Sequence, residues 1–177
     1  MATYFKGLGN AFDIGVGAII QSFNGSGITG KVCSLQNCEG VGVLVVKMAN
    51  GTTDDLAIDL QEVNGAGGTP RDLDIITRYA VKSETALDND EAWVITTQSA
   101  ASEISAIAGT AELEMMLYFE VLANQLSDGY THIAVNVPDL GNTDTEQGTV
   151  IYIPFGLKVQ RVPNLLPSLK TPGTANA

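Results

Sequence analysis

The sequence predicts an all-β fold, a β-sandwich or jelly roll of about seven or eight short antiparallel strands. Three observations support this prediction. Apolar and polar residues alternate with period two in several segments, the segments are short, and clusters rich in Gly, Pro, Asn and Asp separate them. Only residues 99–110, which are rich in Ala and Ser, could form a short helix instead.

Alternation is regular in residues 56–61, where Leu56, Ile58 and Leu60 share one face of a half-buried strand. An apolar run at residues 41–48 precedes this strand. The Asn50-Gly51 dipeptide between the two segments predicts a hairpin, because both residues tolerate positive φ. Similar patterns predict further strands at residues 75–81, 93–97, 133–137 and 150–155.

The clearest strand begins at Glu112 and runs to residue 122. Its odd-numbered positions from 113 to 121 are apolar, whereas Glu112, Glu114 and Glu120 lie on the opposite side. A helix would scatter the glutamates around its surface, so the pattern favours a strand despite several good helix formers. We therefore expect Leu117 and Phe119 to point into the core.

The middle of the chain, residues 31–160, is predicted to be one compact domain, for which the length is sufficient. Residues 1–30 are rich in Gly and show little alternation, so we expect an extended N-terminal arm. Within this arm, Tyr4 and Phe5 are the candidate contact residues.

The C-terminal residues 161–177 combine three prolines with leucines, which a solvated tail would not need. This composition predicts an arm that lies either on a neighbouring subunit or, as a strap, on its own domain. The candidate partner-contacting residues in it are Leu165, Leu166 and Leu169.

The balance of charges limits the classes of partner. The chain has 20 acidic and nine basic residues and a formal net charge of −11 at pH 7, without a local basic cluster. Such a surface repels phosphate backbones, so we expect no nucleic acid partner. No apolar run approaches the length of a membrane span, and the N-terminus does not resemble a signal peptide, so we expect no membrane partner and no secretion.

The two cysteines, Cys33 and Cys38, lie close together in the sequence. A zinc site would need two more ligands, and His132 is remote in sequence. A disulfide across this loop would stabilise the fold by roughly 2 kcal/mol on the chain-entropy estimate. The absence of a secretion signal favours two reduced thiols, but the sequence leaves both states open.

No set of residues in the sequence resembles a catalytic or metal site. His132 lies on a strand without an acid-nucleophile pair arranged around it. The row of Glu112, Glu114 and Glu120 suits a solvated strand face better than a glycosidase, because aromatic residues are few. Residues 88–91 contain four oxygen-bearing side chains, but they lack the spacing of a calcium loop, so a charged turn is predicted. We therefore predict no catalytic residues, no metal, no cofactor and no enzymatic activity.

Two stretches of the chain resemble a known class of proteins. The first is NGTTDDLAIDLQEVNGAGGTPRDL, and the second is MLYFEVLANQLSDGYTHIAVNV. Both resemble the head decoration, or cement, proteins of tailed bacteriophages, which are small structural proteins of the virion. The resemblance spans residues 50–137 and consists of strand and turn patterns, so it carries no catalytic residues over.

The resemblance implies a protein that binds the major capsid protein and copies of itself on the capsid surface of the virion. It further implies assembly in the bacterial host cytoplasm. A protein on the symmetry axes of a shell is expected to form a closed homo-oligomer, a trimer first and a dimer second. The alternatives are a carbohydrate-binding sandwich of a phage fibre, with Trp93, Tyr118 and Tyr130 as its aromatic residues, or another head–tail or tail component.

Overall fold

The computed structural model of the protein describes residues 7–23, 27–49, 55–105, 107, 113–138 and 147–158. This part of the chain is nearly all β: eleven strands form two antiparallel sheets, and one 3-10 turn occupies Ala123–Gln125. No helix in these ranges is long and apolar enough to cross a membrane. The all-β sandwich predicted from the sequence is therefore confirmed.

The larger sheet has six strands, all in antiparallel pairs. In spatial order they are β1 (Gly15–Ser22), β11 (Gln147–Phe155), β3 (Gly40–Lys47), β9 (Glu114–Leu122), β6 (Ile76–Glu84) and β7 (Val94–Ala101).

The smaller sheet has five strands, three of them only two or three residues long. In spatial order they are β2 (Cys33–Ser34), β10 (His132–Asn136), β4 (Ile58–Val63) and β5 (Pro70–Asp72), and β8 (Glu103–Ile104) also pairs with β4. These short strands raise the number above the seven or eight that alternation alone indicates, because two or three residues show no period.

The core lies between the two sheets and is built from the alternating apolar positions of both. Leu117 and Phe119 of β9 are buried in it, as predicted, together with Leu60 of β4. Tyr152 of β11 is fully buried and links the sheets through its hydroxyl. That hydroxyl donates to the carbonyl of Lys31 at 3.0 Å and accepts from the backbone N–H of Val135 in β10 at 2.9 Å.

Two local predictions were wrong. The strands on either side of the Asn50-Gly51 dipeptide do not form a hairpin: β3 pairs with β11 and β9, whereas β4 lies in the other sheet. Both edges of β3 are occupied, so the chain crosses from one sheet to the other. The predicted helix at residues 99–110 is also wrong where it is described, because residues 99–104 contribute to β7 and β8.

The predicted C-terminal arm lies outside the described residues, as do residues 1–6 and 24–26 of the predicted N-terminal arm. Tyr4, Phe5, Leu165, Leu166 and Leu169 all lie there, so their contacts stay predictions. Part of the segment assigned to the N-terminal arm, residues 15–22, is strand β1 at the edge of the larger sheet.

Candidate binding surface

The outer face of the six-stranded sheet, on the side opposite the core, carries a block of apolar side chains on β11, β3 and β9, with Glu114 and Glu120 of β9 on either side of it. Cross-strand register places Leu44 of β3 between Ile151 of β11 and Tyr118 of β9 on this face. The free face of an antiparallel sheet is normally polar. We call the following half-buried side chains the apolar outer face: Leu44, Val46, Met116, Tyr118, Ile151, Ile153 and Phe155.

Two glycines of β3 allow aromatic rings to lie across this face. A Cβ atom at Gly42 would come within 2.6 Å of the Tyr118 hydroxyl, and one at Gly40 within 2.8 Å of the Phe155 ring. The rings therefore occupy the space that a side chain of β3 would take. The result is a smooth surface of aromatic and aliphatic groups, of the kind that protein interfaces use.

A groove opens where β6 separates from β9. The ladder between these strands runs from Glu84 opposite Glu114 to Ala80 opposite Tyr118, and it stops there. The first residues of β6 and the last residues of β9 diverge and leave a groove of about 420 Å³. We call it the β6–β9 groove; its lining includes Ile75, Arg78, Tyr79, Ile95, Phe119, Glu120 and Gln125.

Aromatic and charged groups meet at the rim of this groove. Tyr118 donates a hydrogen bond from its hydroxyl to Glu120 at 2.7 Å. Burial and this carboxylate raise the pKa of Tyr118 to about 12, so it stays a protonated donor at neutral pH. Trp93 packs edge-on against Tyr118 with ring centroids 6.4 Å apart, and the ammonium of Lys82 lies 5.4 Å from the Trp93 ring.

The outer face of the five-stranded sheet carries a polar network beside a small apolar cluster of Val32, Val63 and Ala134. Asn136 of β10 donates to Gln61 of β4 at 2.8 Å and accepts from the backbone N–H of Gly30 at 3.0 Å. Gln61 in turn donates to Asp72 of β5 at 3.3 Å. Asp59 lies at the end of this network, and its Oδ1 is buried without a hydrogen-bond partner among the described residues.

The candidate catalytic residue of the sequence, His132, lies half-buried on β10 beside Val63 of β4. Its Nδ1 is 2.8 Å from the hydroxyl of Thr131, and burial lowers its pKa. Within the described ranges, these contacts show no acid or nucleophile arranged around the ring.

The glutamate row does not form a carboxylate pair in the described part of the chain. Glu114 accepts a hydrogen bond from the backbone N–H of Leu87 at 2.8 Å, while Glu120 bonds to Tyr118. Glu112 lies outside the described residues. The first contact holds the connection between β6 and β7 against β9, and the second fixes Tyr118 at the rim of the groove.

The acidic turn contains one more carboxylate than the sequence indicated. Carboxylate oxygens of Glu84, Asp88, Asp90 and Glu91 all lie within 4.8 Å of one another at the protein surface. Loss of solvation and the neighbouring acids raise the pKa of Glu84, whereas the backbone N–H of Asp88, which donates to Glu91 at 2.7 Å, lowers the pKa of Glu91. The interpretation as a charged turn stays a prediction.

The remaining candidates have structural contacts. Cys33 and Cys38 are buried thiols rather than a disulfide, and Cys38 donates to the carbonyl of Leu35 at 3.2 Å. Tyr130 stacks with the guanidinium of Arg71 at 4.1 Å. The same guanidinium binds the buried carboxylate of Glu62 through two nitrogens at 2.6 and 2.7 Å, so it ties β4 to β5. Of the three predicted aromatic residues, only Trp93 and Tyr118 lie together.

The sequence alone did not indicate the β6–β9 groove or the continuous apolar outer face. The pairing of β3 with both β9 and β11 creates that face, and no local pattern specifies such pairing. One signal was present: β11 and β9 carry apolar residues at positions of both parities, as in strands covered on both sides.

Comparisons with known proteins leave the function open. No family model matches the sequence, and no curated protein matches it either. Among solved structures, the SPBc2 prophage-derived protein YomS is similar with a TM-score of 0.39 and 12% sequence identity. The similarity covers 81% of this chain and 91% of that one. A similarity this low does not indicate a function. The function proposed below is therefore argued from the surface of the protein.

Proposed function

We propose that this chain is a structural protein of a phage virion that decorates the capsid shell by binding the major capsid protein and copies of itself. The observation that carries the proposal is the apolar outer face, which gives an otherwise acidic sandwich a surface suited to another protein. The resemblance of residues 50–137 to head decoration proteins supports the same role. The role requires no catalysis and no cofactor.

A decoration protein stabilises a shell by mass linkage, because it binds the intact expanded shell better than its broken forms. Weak contacts repeated over symmetric copies add up, so one interface need not be large. The net charge of −11 fits this role, since it discourages adhesion to the packaged genome. We place the protein on the capsid surface, assembled in the host cytoplasm as a closed homo-oligomer, with a trimer favoured over a dimer.

The experiment compares phage heads with and without this protein. Heads that lack it should release DNA at a lower temperature, and added protein should restore the wild-type temperature. Protein carrying Leu44→Ser and Ile153→Ser on the apolar outer face should fail to restore it, whereas Gln61→Ala on the polar face should succeed. Equal heat stability of all heads, with the protein found on the tail by microscopy, would exclude decoration.

A second candidate function is carbohydrate binding, as part of a phage fibre. Trp93 and Tyr118 at the rim of the groove, with Arg78, Glu120 and Gln125 in its lining, combine aromatic and hydrogen-bonding groups that sugars use. A glycan array discriminates the two roles. Binding that is lost in Trp93→Ala, together with no binding to capsids, would favour the fibre.

A further inference from the structure

The β6–β9 groove has the form of a site for an extended, proline-containing segment. Its lining includes the aromatic residues Tyr79 and Tyr118, and Ile75 and Ile95 add aliphatic surface. Aromatic-lined grooves bind proline-rich segments well, because such segments are already extended and lose little conformational entropy on binding. Its volume of about 420 Å³ lies within the range of sites that hold small ligands.

We propose that the β6–β9 groove binds the C-terminal segment, residues 159–177, of a neighbouring copy of this chain. The inference rests on the proposed function, since a decorated shell places copies side by side. The segment combines proline with apolar side chains that match the groove. These residues are Pro163, Pro167, Pro172, Leu165, Leu166 and Leu169.

The distribution of charge supports this occupant. All 20 acidic residues and seven of the nine basic residues precede residue 159, so residues 1–158 carry a net charge of −13. Residues 159–177 contain Arg161 and Lys170 and no acid, which gives +2. Two acidic bodies repel each other, and a basic segment that crosses between them offsets part of this repulsion. Glu120 at the groove is exposed and suited to meet one of these cations.

The chain leaves the larger sheet at the end of β11, beside the connection from β2 to β3. After β11, Gly156 takes a positive φ of 60°, and Leu157 packs against the core rather than on the outer face. The N–H of Lys158 then donates to the carbonyl of Asn37 at 2.9 Å. Asn37 belongs to the connection from β2 to β3, and Glu39 of the same connection accepts from the backbone N–H of Ala123, just after β9. The segment therefore leaves the sheet near the end of β9, and the experiment below decides between the groove of a neighbour and its own.

The length of the segment is sufficient for this exchange. Seven residues separate Lys158 from Leu165, and an extended chain spans at most about 3.5 Å per residue, or roughly 25 Å. Neighbouring strands lie about 4.8 Å apart, so the leucines can reach well beyond the edge of their own sheet. An arm of this length links copies without requiring a large flat interface.

The experiment uses the full-length chain and its single tryptophan as the reporter. Trp93 contacts Tyr118 at the rim of the groove, so an occupant of the groove changes its emission. In the wild type, a rise in protein concentration should shift the Trp93 emission to the blue as oligomers form. The full-length variant carrying Leu165→Ser, Leu166→Ser and Leu169→Ser should stay monomeric and show no shift. A synthetic peptide of residues 159–177 should bind this variant saturably at one peptide per chain.

A matched pair of lysine substitutions tests the position of the site. Ile95→Lys places a like charge in the groove and should weaken binding of the peptide at least about tenfold. Ile20→Lys, at an exposed isoleucine on strand β1 at the opposite edge of the same sheet, should leave it unchanged. Peptide that does not bind, or that binds both variants equally, would overturn the inference.

Two further outcomes decide between the copies and separate this inference from the proposed function. A monomeric wild type whose Trp93 emission is already blue-shifted at every concentration, and reverts in the leucine variant, would place the segment on its own groove and overturn the exchange. The assay contains no capsid, so peptide binding without any effect of the protein on phage heads would retain the inference and exclude decoration. An effect of the protein on phage heads without binding of the peptide would retain decoration and exclude the exchange of the segment.

Discussion

The outer faces of the two sheets differ in the side chains that dominate them, although both belong to one sandwich. On the five-stranded sheet, Asn136, Gln61 and Asp72 form a chain of hydrogen bonds, at the end of which Oδ1 of Asp59 is buried without a partner among the described residues. On the six-stranded sheet, Leu44, Ile151 and the other apolar residues have no such internal function. Under the proposed function, the polar network serves the fold and the apolar outer face binds the partner.

The largest expected effect is the difference in unfolding free energy between substitutions on the two faces of strand β9. Phe119→Ala should lower the free energy of unfolding by about 3–5 kcal/mol, because it removes a buried ring from the core. Glu114→Ala on the opposite face should cost about 1 kcal/mol, through loss of the hydrogen bond from the Leu87 N–H. Denaturant unfolding of both variants measures the difference. If Glu114→Ala costs more than Phe119→Ala, the assignment of inner and outer faces fails.

The second effect tests whether the polar face supports the fold. Asn136→Ala leaves the Gly30 N–H and the Gln61 side chain without their partner, which should cost about 1–2 kcal/mol. Binding to capsids should not change. A variant that is as stable as the wild type would show that this network of hydrogen bonds does not stabilise the fold.

The third prediction concerns the apolar outer face, where a substitution should weaken association more than it weakens stability. Ile153→Thr removes apolar surface that is already partly exposed, so it should cost less than about 1 kcal/mol in unfolding. Its effect should appear in association, as weaker oligomers in light scattering and weaker capsid binding. If Ile153→Thr and Asn136→Ala changed stability and association in the same proportions, the two faces would not have the different roles that we assign to them.

The same comparison shows what the sequence could predict. Alternation placed Leu60, Leu117 and Phe119 correctly, because period two is a local property of a strand. The Asn50-Gly51 hairpin failed, because a local turn signal does not record that β3 already has partners on both edges. The sequence did not predict the groove either. The groove depends on the end of the β6–β9 ladder at Ala80 and Tyr118, and tertiary packing sets that position.

The smallest expected effect concerns Asp59 at the end of the polar network. Burial, followed by the nearby carboxylates of Asp72, Glu103 and Asp74, raises the pKa of Asp59 above its ordinary value of 3.8, against the hydrogen bond from Asn136. The unfolded chain therefore loses this proton at a lower pH than the folded one. The contribution of the protonated Asp59 carboxyl to the unfolding free energy is fully present below about pH 3.8. It is lost as the pH rises through the pKa of the folded state.

Asp59→Asn should remove this loss, because the neutral amide carries no charge to desolvate and can donate to the neighbouring carboxylates. We expect its Tm to exceed that of the wild type by roughly 1–3 °C at pH 7, a small shift because solvent screens a partly exposed group. At pH 3.5 the two proteins should melt together. Calorimetry across this range checks the sign, with Gln61→Glu as the opposite change on the same face. A substitution that destabilises the protein at pH 7 would mean that the Asp59 carboxylate supports the polar face rather than straining it.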